Sequence, residues 1–217
     1  MNITESEDRL FKEWEAKIAK TKGDFVRDGV VCEEVFLREK VKLVFILKEA
    51  NDLYSSYKSL SDFLKDGAGK NGGHTWNPIC RWVDESFKCG QSRSEVLKRI
   101  VALNLKKKDE KKTTTDMVEL RMVARRDKDF IRRQLDIYSQ FSPVIFVCCG
   151  TGMFDIVAEE IYGINTANID HNKKPTTCSV GDNKTWLLAF NHPNSRVKDL
   201  CALFRKYCSV LLEKTSC

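Results

Sequence analysis

The sequence predicts an α/β fold, a three-layer α/β/α sandwich around a short, mainly parallel sheet of four strands. Three observations carry this. Four short apolar runs, Val41–Leu47, Ile100–Leu103, Val144–Cys149 and Trp186–Phe190, are rich in Val, Ile, Leu or Phe. They lack clean alternation, as strands do when helices cover both faces of a parallel sheet. Between them, apolar residues recur at helical spacing, and strands alternating with helices connect as parallel neighbours.

Taken in order, Leu10, Trp14 and Ile18 form the stripe of an N-terminal helix over about 5–22. The first strand run follows, and Lys65–Gly73, KDGAGKNGG, reads as a glycine-rich loop. GGHTWNPICRW then leads into a helix starting near Asn77. After the second run, Ile131, Leu135 and Tyr138 make another stripe, closed by Pro143 just before the third run. Gly150-Thr151-Gly152 opens a helix, and Asn165–Asn183 reads as a polar loop before the fourth run. Val197, Leu200, Phe204, Cys208 and Leu211 give a long C-terminal stripe. No repeat or linker divides the 217 residues, so one domain is expected, with its core over about 41–214.

Composition bounds the function. The longest apolar runs are too short to cross a bilayer, and MNITESEDRL has neither a basic start nor an apolar h-region. The expectation is a cytoplasmic protein in a reducing compartment, without a membrane partner. Nine cysteines, with no CxxC pair, then read as free thiols and small core residues. Cys148 and Cys149 should point to opposite faces of one strand. A metal site from Cys32, Cys80 and Cys89 lacks ligand spacing, so neither metal nor cofactor is expected. The net charge of +6 is carried largely by KKKDEKK at 106–112 and ARRDKDFIRR at 124–133. It allows a polyanionic partner and equally a solvated helix face.

In an open parallel sheet, ligands bind outside the carboxyl ends of the strands. The first run ends in Lys48-Glu49-Ala50-Asn51-Asp52, the second in Asn104 followed by lysines, the third in Gly150-Thr151-Gly152, and the fourth in Asn191-His192-Pro193-Asn194-Ser195-Arg196. A carboxylate, amides and an imidazole therefore converge on one edge. Each has a structural alternative: Glu49 pairing with Lys48, Asn104 closing a turn, His192 resting in its loop. The two glycines lack the lysine of a phosphate-binding loop and suit tight strand-to-helix packing.

Taken together and in order, these segments resemble the uracil-DNA glycosylase superfamily, over roughly Val41 to Arg196. ILKEAND is similar to that family's GEAPG motif, with Glu49 and Ala50 matching and Lys48, Asn51 and Asp52 departing. VALNLKK is similar to its strand-Asn segment, FSPVIFVCCGTG to its third strand, and NHPNSR to its HPSP loop, altered at Asn194-Ser195. The paired cysteines of cluster-bearing members are absent.

The resemblance implies hydrolysis of a nucleobase N-glycosidic bond in DNA. Glu49 would hold water and stabilise the sugar cation, and His192 would stabilise the departing base. Asn104 would read the base edge, Trp76 would stack on the flipped base or anchor its helix in the core, and Asn51 would contact base or water. Arg196 falls at the family's minor-groove wedge. Lys198, Lys106, Lys107 and Lys108, beside the same strand ends, would join Arg196 in neutralising phosphates. The expected protein is a monomeric, metal-independent DNA glycosylase acting on uracil or another deaminated base. Two alternatives are a non-catalytic nucleic-acid or nucleotide-binding protein, favoured by the altered first motif, and a hydrolase of free nucleosides or nucleotides.

Overall fold

The computed structural model describes residues 2–18, 25–49, 57–66, 73–108, 116–170, 175–181 and 184–215. In chain order the elements are α1 (Ile3–Ile18), β1 (Gly29–Val30), α2 (Glu33–Arg38), β2 (Lys42–Glu49), α3 (Leu60–Lys65), α4 (Gly73–Phe87), α5 (Arg93–Leu97) and β3 (Ile100–Lys106). They continue with α6 (Met117–Arg126), α7 (Lys128–Ser139), β4 (Val144–Cys149), α8 (Met153–Ile156) running into a π-helical turn at Val157–Ile161, β5 (Thr177–Ser179), β6 (Thr185–Phe190) and α9 (Leu200–Thr215).

The sheet has six strands in the order β1-β3-β2-β4-β6-β5. The four expected runs form its parallel centre, β3-β2-β4-β6. Two short antiparallel strands extend it: β1 pairs with β3, and β5 with β6. The expectation of four strands is corrected to six in a mixed sheet. Both additions are only two or three residues long, Gly-Val and Thr-Cys-Ser, so no apolar run announced them. Residues 177–179 thus add a sheet edge inside a segment read as loop.

Strand alternation divides the core. Val44, Ile46, Val101, Leu103, Phe146 and Cys148 pack on one face with side chains of α1, α6, α7 and α8. Leu43, Phe45, Ile100, Ala102, Val147 and Cys149 pack on the other with those of α3, α4, α5 and α9. Cys148 and Cys149 do face opposite ways, and burial raises both thiols above their ordinary range. The eight described cysteines are free.

Helix ends follow local chemistry. Ser59, Ser92 and Asp116 cap α3, α5 and α6, each side chain accepting from a backbone N–H three residues on. The first turn of α1 instead donates Ile3 and Thr4 N–H to the Glu33 carboxylate, at 2.8 and 3.0 Å. The C-terminal stripe is shorter than expected, because Val197 lies before α9 and is 52% exposed. Among the described residues, no helix is long and apolar enough to cross a membrane.

Candidate functional site

The chain passes from β2 to β3 on one side and then to β4 on the other side of β2, so the strand order reverses between β2 and β4. A crevice opens beyond the carboxyl ends of strands at such a reversal. Here β2 ends in Lys48 and Glu49, β4 in Gly150, and β6, beside β4, runs on to His192.

Register aligns these ends. Ile46 pairs with Cys148, so Lys48 and Gly150 each stand two residues beyond a paired position. Cys149 pairs with Phe190, and Gly150 N–H donates to the Phe190 carbonyl at 2.9 Å. Gly150 has φ +111°, a conformation open to glycine, and the His192 ring lies against it. A β-carbon on Gly150 would sit 3.6 Å from His192 Cδ2. Below this point Phe190 packs edge-on against Trp82 and Phe204, at centroid distances of 4.9 and 5.1 Å, which fixes the strand end.

His192 is turned by its own loop. Ser195 N–H donates to the His192 carbonyl at 2.8 Å, and Asn194 N–H donates to Nδ1 at 3.2 Å. With Nδ1 accepting, the neutral ring carries its proton on Nε2. The imidazole is held below its ordinary pKa, first by partial burial and then by the Lys48 charge, with Glu49 opposing. Lys48 and Glu49 at the end of β2 and His192 after β6 thus share one edge of the sheet, and both charges act on the ring.

Asn104 pairs with Leu47, two residues short of Glu49, which places the two on one sheet face about 7 Å apart along the strands. Asn104 lies inside β3, where the sequence reading put it after the strand. It is 2% exposed, its backbone N–H donates to Asp28 Oδ2 at 2.7 Å, and its Nδ2 has no hydrogen-bond partner among the described residues. Trp76 is 5% exposed and belongs to the core packed by α4, the anchoring role. Asn51 lies outside the described residues.

The phosphate-binding set needs correction. Lys107 is buried, its Nζ 2.7 Å from both Asp28 oxygens and over the Phe11 and Trp14 rings. Lys106 is buried too, with Nζ 2.7 Å from Glu119. A lysine repeat read as one patch is split by strand alternation and ion pairing, so neither is available to phosphate. Lys108, Arg196 and Lys198 are exposed. The basic segment at 124–133 is largely answered by acids: Arg125 pairs with Glu160, Arg126 with Asp127, Arg132 with Asp136 and Arg133 with Glu13.

Two neighbours of the site escaped the sequence reading. Lys48 entered as a strand-end residue, a partner for Glu49 and a departure from the resembled motif, without a role of its own, and Val197 only as a helix residue. Among the described residues, no group of three His, Cys, Asp or Glu is placed to hold a metal. No protein-family model and no curated protein matches this chain.

Proposed function

We propose that the protein is an N-glycosylase of the uracil-DNA glycosylase type, a monomer on a three-layer α/β/α sandwich, removing uracil or another deaminated base from DNA. The observation that supports this most is that β2 and the loop after β6 bring Glu49 and His192 to one sheet edge at the strand-order reversal, with the imidazole's Nδ1 already occupied. Breaking an N-glycosidic bond develops positive charge on the sugar and negative charge on the base. Glu49 meets the first, holding water and the oxocarbenium ion. His192 Nε2–H meets the second as a neutral, oriented donor. A carboxylate and a neutral N–H donor of this chain fill the two roles in this reading.

Asn104 serves recognition in this reading. A buried amide N–H without a partner costs about 1–3 kcal/mol, recovered when a base carbonyl accepts from it. Lys108, Arg196 and Lys198, all exposed, would contact phosphates in this reading. Val197, exposed beside Arg196, supplies an apolar group of the kind that wedges between base steps. A cytoplasmic enzyme in a reducing compartment fits these parts.

The withdrawal of Lys106 and Lys107 favours one second reading, a hydrolase of free nucleosides. Incubation with uracil-, hypoxanthine- and xanthine-containing oligonucleotides, single- and double-stranded, decides the matter. Abasic product that disappears in Glu49→Gln is the expected result. Hydrolysis of mononucleosides without abasic product would establish the second reading. Salt-sensitive DNA binding with no turnover, unaffected by Glu49→Ala, would establish a binding protein.

A further inference from the structure

A cavity of about 500 Å³ opens at the β1 edge of the sheet, between α1, the β1 segment and α3, with β3 separating it from β2. That volume suits a small molecule. Glu7 of α1 lines it and is 5% exposed. Its Oε1 accepts from Tyr138 Oη–H and from Val30 N–H at 3.0 Å, while Oε2 has no hydrogen-bond partner among the described residues. Burial raises the carboxyl to about 8 against those two hydrogen bonds; Asp28 adds to the rise and Lys107 opposes it. At pH 7 Glu7 therefore carries a proton, and with Oε1 accepting twice the proton belongs on Oε2.

The opposite wall supplies further donors. Lys58, Ser61, Asp62 and Lys65 line it, spaced as one face of α3 and the residue before its cap. Ser61 Oγ is buried without a partner, and Lys58 and Lys65 are exposed and make no ion pair among the described residues. Other charges on the wall are engaged: Arg27 with Asp8 and Glu15, Asp28 with Lys107, and Glu33 with the first N–H groups of α1. Set against Asp62, the two ammonium groups leave one positive charge, which suits a monoanion. Phe11, Val30, Val31 and the Cys32 thiol form the less polar side.

We propose that this cavity binds a small amphipathic carboxylate. The Glu7 O–H and the Ser61 hydroxyl donate to its oxygens, Lys58 and Lys65 balance its charge, and Phe11, Val30 and Val31 receive its apolar part. A carboxylic acid donating to a carboxylate makes a short, charge-assisted hydrogen bond. A buried donor otherwise left unpaired gains its acceptor in the same step. A cationic ligand is disfavoured, because Glu7 would first have to release its proton into a buried site.

NMR titration of the full chain at pH 7 with benzoate, benzamide and benzylamine tests this, one ring bearing an anionic, a neutral and a cationic head. Benzoate should shift the Val30, Val31 and Ser61 amides saturably. Benzamide should bind about fivefold more weakly, the scale of one charge contact in water, and benzylamine should leave the amides unmoved. Because the donor is lost as Glu7 deprotonates, benzoate affinity should fall about fourfold from pH 7 to 8.5, while both lysines stay charged. Glu7→Gln keeps the acceptor oxygen and supplies an N–H in place of the O–H, so its affinity should hold constant across that range. Lys58→Ala combined with Lys65→Ala, both on the surface, should weaken benzoate by at least about fivefold and spare benzamide. No saturable shift with benzoate, a preference for benzylamine, or the same pH dependence in wild type and Glu7→Gln overturns the proposal.

Discussion

The strand-end crevice and a buried cluster around Asp28 use the same residue types on the same sheet, and burial separates them. In the cluster, Asp28 accepts from Lys107 Nζ, from Gln134 Nε2 at 3.0 Å and from the Asn104 backbone. Beside it Glu7 Oε1 accepts from Tyr138 Oη–H and from Val30 N–H at 3.0 Å. Gly29, φ +124°, closes over Glu7, where a β-carbon would lie 2.0 Å from Oε1, so only glycine fits. A cavity of about 500 Å³ adjoins the cluster, lined by Glu7, Asp28, Arg27, Ser59 and others. Two of its charges are matched within the chain: Arg27 pairs with Glu15 and Asp8, and Asp28 with Lys107. At the crevice Lys48 and Glu49 are half-buried and the His192 ring is exposed. A charge becomes structural when its neighbours satisfy it completely and chemical when one valence stays open.

Breaking the cluster should have the largest effect, and on stability. Lys107→Met leaves Asp28 buried without its counter-charge and should cost about 3–5 kcal/mol, measured by urea denaturation. A loss under about 1 kcal/mol would mean that the pair is not built as described.

Next comes pH. Burial pushes the Glu7 carboxyl up to about 8, against its hydrogen bonds from Tyr138 and Val30. The folded state therefore keeps a proton that the unfolded chain releases near pH 4.5. The stabilisation is complete below pH 4.5 and is lost as pH rises to about 8, a change of roughly 5 kcal/mol by linkage. In Glu7→Gln the amide oxygen still accepts from Tyr138 and Val30 and carries no titrating proton. The wild-type slope of unfolding free energy between pH 5 and 8 should flatten correspondingly in that variant; parallel slopes would place Glu7 in water.

At the crevice the same kind of deletion should spare the fold. His192→Ala should lower kcat/KM for uracil excision by at least about 2.7 kcal/mol, the scale of one lost oxyanion donor. Its denaturation midpoint should shift little, since the ring is exposed. A near-wild-type rate removes His192 from the chemistry. The smallest effect belongs to the rim: Arg196→Ala should reduce the slope of log K against log salt for DNA binding by about 1. A Lys107→Met variant that still folds should leave that slope unchanged, which separates exposed lysines from buried ones.

Much of the scaffold was legible because apolar runs and helical stripes are local. The four central strands, the stripes of α1, α7 and most of α9, and the glycines after β4 all stand where periodicity and composition put them. Glu49 and His192 were legible as strand-end residues for the same reason. The edge strands β1 and β5 were not, because two or three residues pair only where a neighbouring strand offers its edge.

The amino-acid order by itself determined the four central strands and the polar groups that close them. Tertiary structure alone decided which charges are available. Lys106, Lys107 and Lys108 are identical in sequence, yet the chain turns one toward Glu119, buries the next on Asp28 and leaves the third in solvent. The physical reason is that a lysine's role depends on the carboxylate it reaches, and Asp28 comes from 79 residues away. Local periodicity carries no information about that distance.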